Sequence, residues 1–272
     1  MSPKPLSDER ISSAVGKIQV WRGGQGEALV YLHSAAGEAA ATPLLEELAD
    51  SFDVIAPMFP GFGESEGMDE IDDIEDAAFH LLDVWDQLGL AAPAVFGTSL
   101  GGWMAAELAT RNPEKVGSLV LVNPAGLYIE GAPVGEIFGR PPNELARDLF
   151  ADESHPFVVA ADQMSEMANL KVEPPFELMR PMLQSLAATA KVAWNPYLHN
   201  PKLVRRLHRV SAPTLVVHGA QDRLIPRAHA ETYAARIPGA RLVDVPGAGH
   251  LMSLEKPAEL AGLVREHVTA RG

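Results

Sequence analysis

Short apolar segments alternate with longer helical patterns along most of the chain. Several of the short segments are apolar without interruption, which is typical of strands buried on both faces of a sheet. The predicted strands are residues 17–21, 28–33, 53–59, 93–97, 118–124, 213–219 and 240–246. Between them, apolar positions recur at helical spacing, as in 74–90 and 257–268. The alternation predicts an α/β fold: one mostly parallel, twisted sheet of about eight strands with helices on both faces, and an antiparallel edge formed by the earliest strands.

One long interval interrupts this alternation. About 90 residues separate the strand that ends near Asn123 from the strand that begins near Pro213, and structureless loops of this length are rare in compact domains. Helical patterns fill the interval at 142–150, 157–171 and 174–194. We therefore predict a core domain made of residues 1–125 and 206–272, and a helical cap at 126–205 that is seated on the sheet.

A single serine stands where a predicted strand meets a predicted helix. The segment from Gly97 to Gly101 reads G-x-S-x-G with Ser99 at its centre. A sharp strand-to-helix turn holds such a serine in a strained backbone conformation, and the glycines leave room where a Cβ would collide. The hydroxyl then projects at the carboxyl end of the sheet, near the positive end of a helix. The segment lacks the glycine spacing of a dinucleotide site and the lysine of a P-loop, so it predicts a nucleophile instead of a phosphate loop.

A serine hydroxyl is a weak nucleophile and needs a base. Of the nine histidines, His250 lies just past the last predicted strand, in a glycine-rich loop at the edge where Ser99 is expected. It is the candidate base. His80 and His267 fall within helix patterns and are expected at the surface.

A neutral imidazole also needs a carboxylate that fixes its tautomer and stabilises its charged form. Asp222 follows the strand at 213–219, in a loop of the same sheet edge, and is the candidate. Asp244, inside the last strand, is the weaker competitor. The resulting chain order of nucleophile, acid and base (Ser99, Asp222, His250) is the order found in one hydrolase fold.

Five segments together resemble enzymes of the α/β-hydrolase fold. They are LHSAAG at 32–37, PMFPGFGES at 57–65, GTSLGG at 97–102, HGAQD at 218–222 and GAGH at 247–250. The resemblance covers nearly the whole chain, and it implies a serine hydrolase with a helical cap. Some relatives hold their acid after the strand that here ends at Asn123, so the resemblance also favours Asp222.

The resemblance implies an oxyanion hole as well. Members of the family commonly carry His-Gly-x after an early strand, and the N–H of x is one oxyanion donor. The matching residues here are His33-Ser34-Ala35. The two donors would then be the N–H groups of Ala35 and Leu100. Ser34 stands where relatives have glycine, and its hydroxyl is expected either to bond locally or to contact substrate.

The amino-acid composition restricts the kinds of partner, substrate and cofactor that the chain is expected to bind. The formal net charge of −14 disfavours nucleic acid, anionic membranes and anionic substrates. The absence of cysteine excludes a thiolate nucleophile and Cys-ligated zinc. The first ten residues have no signal-peptide core and no segment approaches the length of a membrane span, so we expect a cytoplasmic protein without membrane insertion. No metal or organic cofactor is implied.

These observations predict a serine hydrolase that cleaves a small-to-medium hydrophobic ester through an acyl-enzyme. The cap is rich in methionine and aromatic residues, and Met164 and Trp194 are the candidate substrate contacts. Two alternatives stay open. One is a carbon–carbon bond hydrolase of a dienoic ketone from ring fission, for which Arg180 is the candidate cation. The other is a ligand-binding receptor that keeps the fold without turnover. The oligomeric state is open, with a homodimer among the options.

Overall fold

An eight-stranded sheet runs through the part of the chain that the computed structural model describes, residues 6–41, 43–171 and 175–270. The strands are β1 (Ser7–Ser13), β2 (Gly16–Gly24), β3 (Ala28–Leu32), β4 (Asp53–Pro57), β5 (Ala94–Thr98), β6 (Ser118–Val122), β7 (Thr214–Gly219) and β8 (Arg241–Val245). Their order is β1-β2-β4-β3-β5-β6-β7-β8. The pairs from β4 to β8 are parallel, and β2 is antiparallel to both β1 and β4. The predicted parallel sheet with an antiparallel edge is confirmed.

The edge strand β1 is absent from the predicted strands, and its environment explains why. It pairs only with β2, and most of its residues are exposed. None of its residues is fully buried, and its one apolar residue, Ile11, makes no apolar alternation by which to recognise a strand. Its polar side chains, such as Arg10 beside Asp8 and Glu64, suit an edge that must not pair with another molecule.

Helices fill the connections between the strands. They are α1 (Pro43–Ala49), α2 (Ile74–Gln87), α3 (Leu100–Arg111), α4 (Pro142–Leu149), α5 (Pro156–Asn169), α6 (Phe176–Ala193), α7 (Leu203–Arg206), α8 (Arg227–Arg236), α9 (Met252–Glu255) and α10 (Pro257–Thr269). In α2 the Asp73 side chain caps the first turn by accepting from the N–H groups of Glu75 and Asp76. The helix ends at Gln87, and Gly89, two residues later, has a φ of 66° that glycine adopts at no steric cost. None of the helices in the described ranges is long and apolar enough to cross a membrane.

The interval between β6 and β7 contains α4 to α7; α4, α5 and α6 fall where the sequence predicts helices, and α7 was not predicted. Its two ends are joined, because Gly126 N–H donates to Leu198 O at 2.9 Å and Asn200 N–H donates to Gly126 O at 3.0 Å. The helices α4 and α5 pack on each other, and α6 contacts α2 and the turn that follows β4. There Gln184 Nε2 donates to Gly63 O at 3.1 Å. Whether this insertion is a separate folding domain stays a prediction.

A partly buried carboxylate fastens the α4–α5 side of the insertion to the loop after β8. Glu255 accepts from Gly249 N–H at 2.6 Å on one oxygen, and from Ala151 and Asp152 N–H at 2.7 and 3.0 Å on the other. Leu251 N–H adds a bond to Leu149 O at 3.0 Å. The loop that contains His250 is therefore held by the insertion as well as by the sheet.

The expectation that His80 and His267 lie at the surface is wrong. Their side chains are only 3% and 9% exposed. His80 falls on the side of α2 that also buries Ala77, Leu81 and Val84, because i+3 and i+4 positions share a helix face. Burial lowers the pKa of His80 to about 4. Its Nδ1 has no hydrogen-bond partner in the described ranges.

His80 makes the stability of the fold depend on pH. The unfolded chain, with a histidine pKa near 6.5, binds a proton between pH 6.5 and 4 that the folded chain does not, so stability falls as the pH drops through this window. For His80→Leu we expect the loss of unfolding free energy between pH 7 and pH 5 to be about 2 kcal/mol smaller than in wild type. Urea unfolding at the two pH values measures it.

The exposed His208 provides the control, since His208→Leu should leave the wild-type pH dependence in place. An equal loss in wild type and His80→Leu would contradict the assignment.

Candidate active site

Ser99 occupies a strained turn between β5 and α3. Its φ of 54° and ψ of −112° lie outside the ordinary regions for a residue with a side chain. Hydrogen bonds on both the N–H and the C=O group of Ser99 maintain this strained conformation. Ser99 N–H donates to Val122 O at 2.9 Å, and Ser99 O accepts from Trp103 N–H at 3.0 Å and from Ala125 N–H at 3.2 Å.

The glycines around Ser99 are required by close contacts with neighbouring backbone. A Cβ on Gly97 would lie 2.4 Å from Gly101 O, and a Cβ on Gly101 would lie 2.1 Å from Leu32 O. Neither glycine has a positive φ, so the need is for space and not for a left-handed conformation. The start of α3 is thereby pressed against the carboxyl end of β3.

The three residues predicted as nucleophile, acid and base lie together. His250 Nε2 is 2.9 Å from Ser99 Oγ, and His250 Nδ1 is 2.8 Å from Asp222 Oδ2. The exposed fractions of these side chains are small: 6% for Ser99, 2% for His250 and 0% for Asp222. The Asp222 carboxylate accepts the Nδ1 proton, which leaves Nε2 free to accept the Ser99 hydroxyl proton. The arrangement can move a proton from the serine to the imidazole.

Asp222 also stabilises its own loop. Its Oδ1 accepts from Leu224 and Ile225 N–H at 2.8 and 2.9 Å, so one oxygen closes a turn and the other binds His250. The competitor Asp244 lies elsewhere, in a surface ion pair with Arg227 at 2.8 Å.

Asn123 links the loops after β7 and β8, a function that the sequence reasoning missed. Its side chain is fully buried. Asn123 Oδ1 accepts from Gly219 N–H at 2.8 Å, and Nδ2 donates to Gly249 O and His250 O at 3.1 and 2.9 Å. The Asp222 loop and the His250 loop are therefore held in register by one amide. The signal in the sequence was its place directly after a buried strand, at the edge shared with Ser99.

The loop after β3 is the other wall of this edge. Leu32 pairs with Gly97 across β3 and β5, which brings Ala35 and Leu100 to the same end of the sheet. Neither Ala35 N–H nor Leu100 N–H has a hydrogen-bond partner among the described residues. Ser34 is 2% exposed, and its hydroxyl donates to Glu38 at 2.7 Å and accepts from Ala36 N–H at 3.0 Å. Of the two expectations for Ser34, the local bond is the one observed.

The two predicted substrate contacts lie in the insertion. Met164 is partly buried on α5. Trp194, directly after α6, is 61% exposed, and its ring lies 5.2 Å from that of Phe138. Trp194 lines an open groove of about 390 Å³ together with Glu136, Asn195 and Tyr197. Substrate contact by Met164 and Trp194 stays a prediction. Within the described ranges, no three His, Asp or Glu side chains are grouped so as to hold a metal ion.

Comparison with known proteins gives matches over almost the full chain. The model of the alpha/beta hydrolase fold family matches residues 27–257. The chain is 29% identical to the dihydrolipoyllysine-residue acetyltransferase component of the acetoin cleaving system from Cupriavidus necator, over 91% of this chain and 65% of that protein. The chain thus spans less than two thirds of this relative's length.

Two further relatives match over most of both lengths. A 2-hydroxymuconate semialdehyde hydrolase from Pseudomonas sp. (strain CF600) is 30% identical, over 89% of this chain and 86% of that protein. The solved structure of the 2-hydroxy-6-oxo-6-phenylhexa-2,4-dienoate hydrolase from Rhodococcus sp. strain RHA1 superposes with a TM-score of 0.77 at 23% identity, over 97% of this chain and 99% of that one. The family match over most of the chain and the relative at 30% identity establish that the chain belongs to the alpha/beta hydrolase fold family.

Proposed function

We propose that this protein is a serine hydrolase that cleaves uncharged, small-to-medium hydrophobic carboxylic esters. The observation that carries the proposal is the bridge made by His250, with Ser99 Oγ at 2.9 Å on one nitrogen and Asp222 Oδ2 at 2.8 Å on the other. A serine in that bridge is activated as a nucleophile when the imidazole takes its proton.

The first half of the reaction acylates Ser99. Ser99 Oγ attacks the ester carbonyl while its proton passes to His250 Nε2, and Asp222 stabilises the imidazolium that forms. The N–H groups of Ala35 and Leu100 donate to the oxygen that becomes negative. The tetrahedral intermediate then expels the alcohol, which takes the proton from His250.

The second half releases the acid. Water gives a proton to His250 Nε2 and attacks the acyl-enzyme carbonyl, and the same two N–H groups stabilise the second oxyanion. The proton returns to Ser99 Oγ as the carboxylic acid leaves, so the enzyme is restored without any cofactor.

The charges and apolar residues of the insertion support a neutral, hydrophobic substrate. Arg180, the candidate cation for an acidic substrate, has a side chain that is 57% exposed and paired with Glu177 at 3.1 Å. Arg147 is paired with Asp162 at 2.8 Å. The insertion also exposes large apolar side chains, the type that lines pockets for hydrophobic ligands: Phe157, Val159, Leu170, Phe176, Met182, Leu183 and Trp194.

A second candidate is a carbon–carbon bond hydrolase of a ring-fission product. It is favoured by the relative named as 2-hydroxymuconate semialdehyde hydrolase, which aligns with this chain at 30% identity over most of both proteins. Substrates of this class carry a carboxylate, which calls for a cation that faces the reacting bond. The pairing and exposure of Arg180 make this the second candidate and the ester the first.

Replacement of the nucleophile should abolish turnover. We expect Ser99→Ala to lower kcat on p-nitrophenyl esters, from acetate to decanoate, by about 10³-fold or more, because no other group can form the acyl-enzyme. Rates are measured on purified variants whose folding is checked by circular dichroism. The exposed Ser12 supplies the control, and Ser12→Ala should retain wild-type rates. Full activity in folded Ser99→Ala would refute the proposal.

The two aspartates of this region should differ sharply. We expect Asp222→Asn to lower kcat by about 10²- to 10⁴-fold, because an amide cannot stabilise the charged imidazole or hold its tautomer. Asp244→Asn removes only the surface pair with Arg227 and should leave kcat unchanged. Steady-state kinetics on the best ester compares the two variants. A larger loss of kcat in Asp244→Asn than in Asp222→Asn would show that Asp244, and not Asp222, is the acid that acts with His250.

Comparison of an ester with a ring-fission product decides between the two candidate substrate classes. We expect kcat/KM for medium-chain p-nitrophenyl esters to exceed that for 2-hydroxy-6-oxo-6-phenylhexa-2,4-dienoate, because the dienoate brings a carboxylate to a chain of net charge −14. The reverse order would establish the second candidate. Binding of these compounds, seen as a thermal shift without any product, would instead indicate a receptor.

A further inference from the structure

A buried carboxylate lies beside the loop that carries Ala35. Glu38, in the short 3₁₀ turn Glu38–Ala41, is 6% exposed. Its two oxygens accept from Ser34 N–H at 3.1 and 3.2 Å, from the Ser34 hydroxyl at 2.7 Å, and from the Tyr31 hydroxyl. Burial of a carboxylate is costly unless its oxygens are hydrogen-bonded, and here three donors are committed to it. The Ser99, Asp222 and His250 mechanism leaves this group without a function.

The hydrogen bonds of this loop single out one amide. Ser34 N–H donates to Glu38, Ala36 N–H donates to Ser34 Oγ at 3.0 Å, and Gly37 N–H donates to Ser34 O at 3.1 Å. Of the four amides from 34 to 37, Ala35 N–H alone has no partner among the described residues. The loop is therefore closed by internal bonds that leave one donor for a ligand.

The Ser34 hydroxyl connects Ala36 to Glu38 through two hydrogen bonds. It accepts from Ala36 N–H, so its own proton is free to point at Glu38 Oε2. The carboxylate thereby orients the hydroxyl, and the hydroxyl holds Ala36. A glycine at 34 would leave Ala36 N–H without this acceptor.

His33 fixes the peptide between Ser34 and Ala35 from the other side. His33 Nε2 accepts from Phe59 N–H at 3.0 Å, so the ring proton is on Nδ1, which donates to Ser34 O at 2.7 Å. Burial lowers the pKa of His33 against the opposing effect of Glu38, which favours the neutral ring, and the bond from Phe59 N–H selects this tautomer. In a trans peptide the N–H points opposite to the C=O, so the bonds on Ser34 O aim Ala35 N–H away from His33.

We propose that Glu38 is a positioning residue for the oxyanion hole. Its carboxylate holds Ser34 by the backbone N–H and the hydroxyl, and so aims Ala35 N–H at the oxygen that becomes negative when Ser99 attacks. The inference rests on the proposed serine hydrolase function. It also gives a reason for serine at 34, where relatives commonly have glycine: the hydroxyl is the link between Glu38 and Ala36.

The charge of Glu38 does not cancel this benefit. A bare carboxylate would repel the developing oxyanion, but the three donors direct partial positive charge at its oxygens. Burial, reinforced by Glu38, raises the pKa of Tyr31 well above its usual value, so the phenol keeps its proton and donates.

The test measures reaction at Ser99 without needing the natural substrate. The rate constant for labelling of Ser99 by a fluorophosphonate probe is compared in wild type, Glu38→Ala and Glu38→Gln, together with kcat and KM on the best p-nitrophenyl ester. We expect Glu38→Ala to lower the labelling rate and kcat by about 10- to 100-fold while KM changes little, because a displaced oxyanion donor affects the transition state more than the bound ester. Glu38→Gln keeps an acceptor for Ser34 N–H and should recover part of the loss.

Glu107 supplies a matched control. It is a fully buried carboxylate on α3 that accepts from Trp103 Nε1 at 3.2 Å, Asn200 Nδ2 at 2.7 Å and Arg111 Nη2 at 3.2 Å, none of which belongs to the loop at 34–37. Glu107→Gln should lower thermal stability and leave the labelling rate within about two-fold of wild type. Equal effects of Glu107→Gln and Glu38→Ala on labelling would overturn the inference, since they would show general destabilisation.

The remaining outcomes separate the two proposals. If wild type is labelled at Ser99 and folded Glu38→Ala is labelled as fast, the positioning inference is wrong and the hydrolase proposal stands. If wild type is not labelled, the hydrolase proposal fails and the inference falls with it. If Glu38→Ala does not fold, Ser34→Ala decides: loss of the hydroxyl link should slow labelling by about 3- to 10-fold, and an unchanged rate would overturn the inference.

Discussion

The contact between the start of α3 and the end of β3 determines where the rest of the site can lie. Only a hydrogen on Gly101 fits against Leu32 O, and only a hydrogen on Gly97 fits against Gly101 O. This contact forces the abrupt turn at Ser99, and it brings the first N–H of α3 beside the loop after β3. A nucleophile and two potential oxyanion donors are thus gathered by backbone packing before any catalytic side chain is considered.

Around that contact, polar side chains hold the loops of the sheet edge. Asn123 joins the loops after β7 and β8, and Glu38 closes the loop after β3. Both are buried; Asn123 binds three backbone groups, and Glu38 binds one backbone N–H and two hydroxyl groups. Buried polar networks with every member bonded favour one arrangement of the backbone over its alternatives. Here that arrangement sets His250 against Ser99 and leaves Ala35 N–H open.

The parts of this picture that sequence could predict are those that follow from periodicity and chain direction. Buried parallel strands read as apolar runs, and their carboxyl ends meet at one edge, so Ser99, Asp222 and His250 could be expected as neighbours from their positions after such runs. The remaining features depend on contacts between distant segments. The strand β1 has no fully buried residue, His80 is buried by the orientation of α2, and Glu38 acquires its partners only when the 3₁₀ turn folds back on Ser34. The identity of one carboxylate or histidine in a sequence does not reveal which distant residues it will contact.

The link made by Glu255 has a consequence for how this protein can change. One carboxylate grips Gly249, next to the candidate base, and also Ala151 and Asp152 in the insertion. The insertion, which is expected to select the substrate, is therefore hydrogen-bonded through Glu255 to the loop that contains the candidate base. Replacing residues 126–205 with the corresponding segment of a relative would exchange Ala151 and Asp152 but leave Glu255 and Gly249 unchanged. A chimera of this chain would keep the link only if its new segment offered backbone N–H groups to Glu255 where Ala151 and Asp152 do so here.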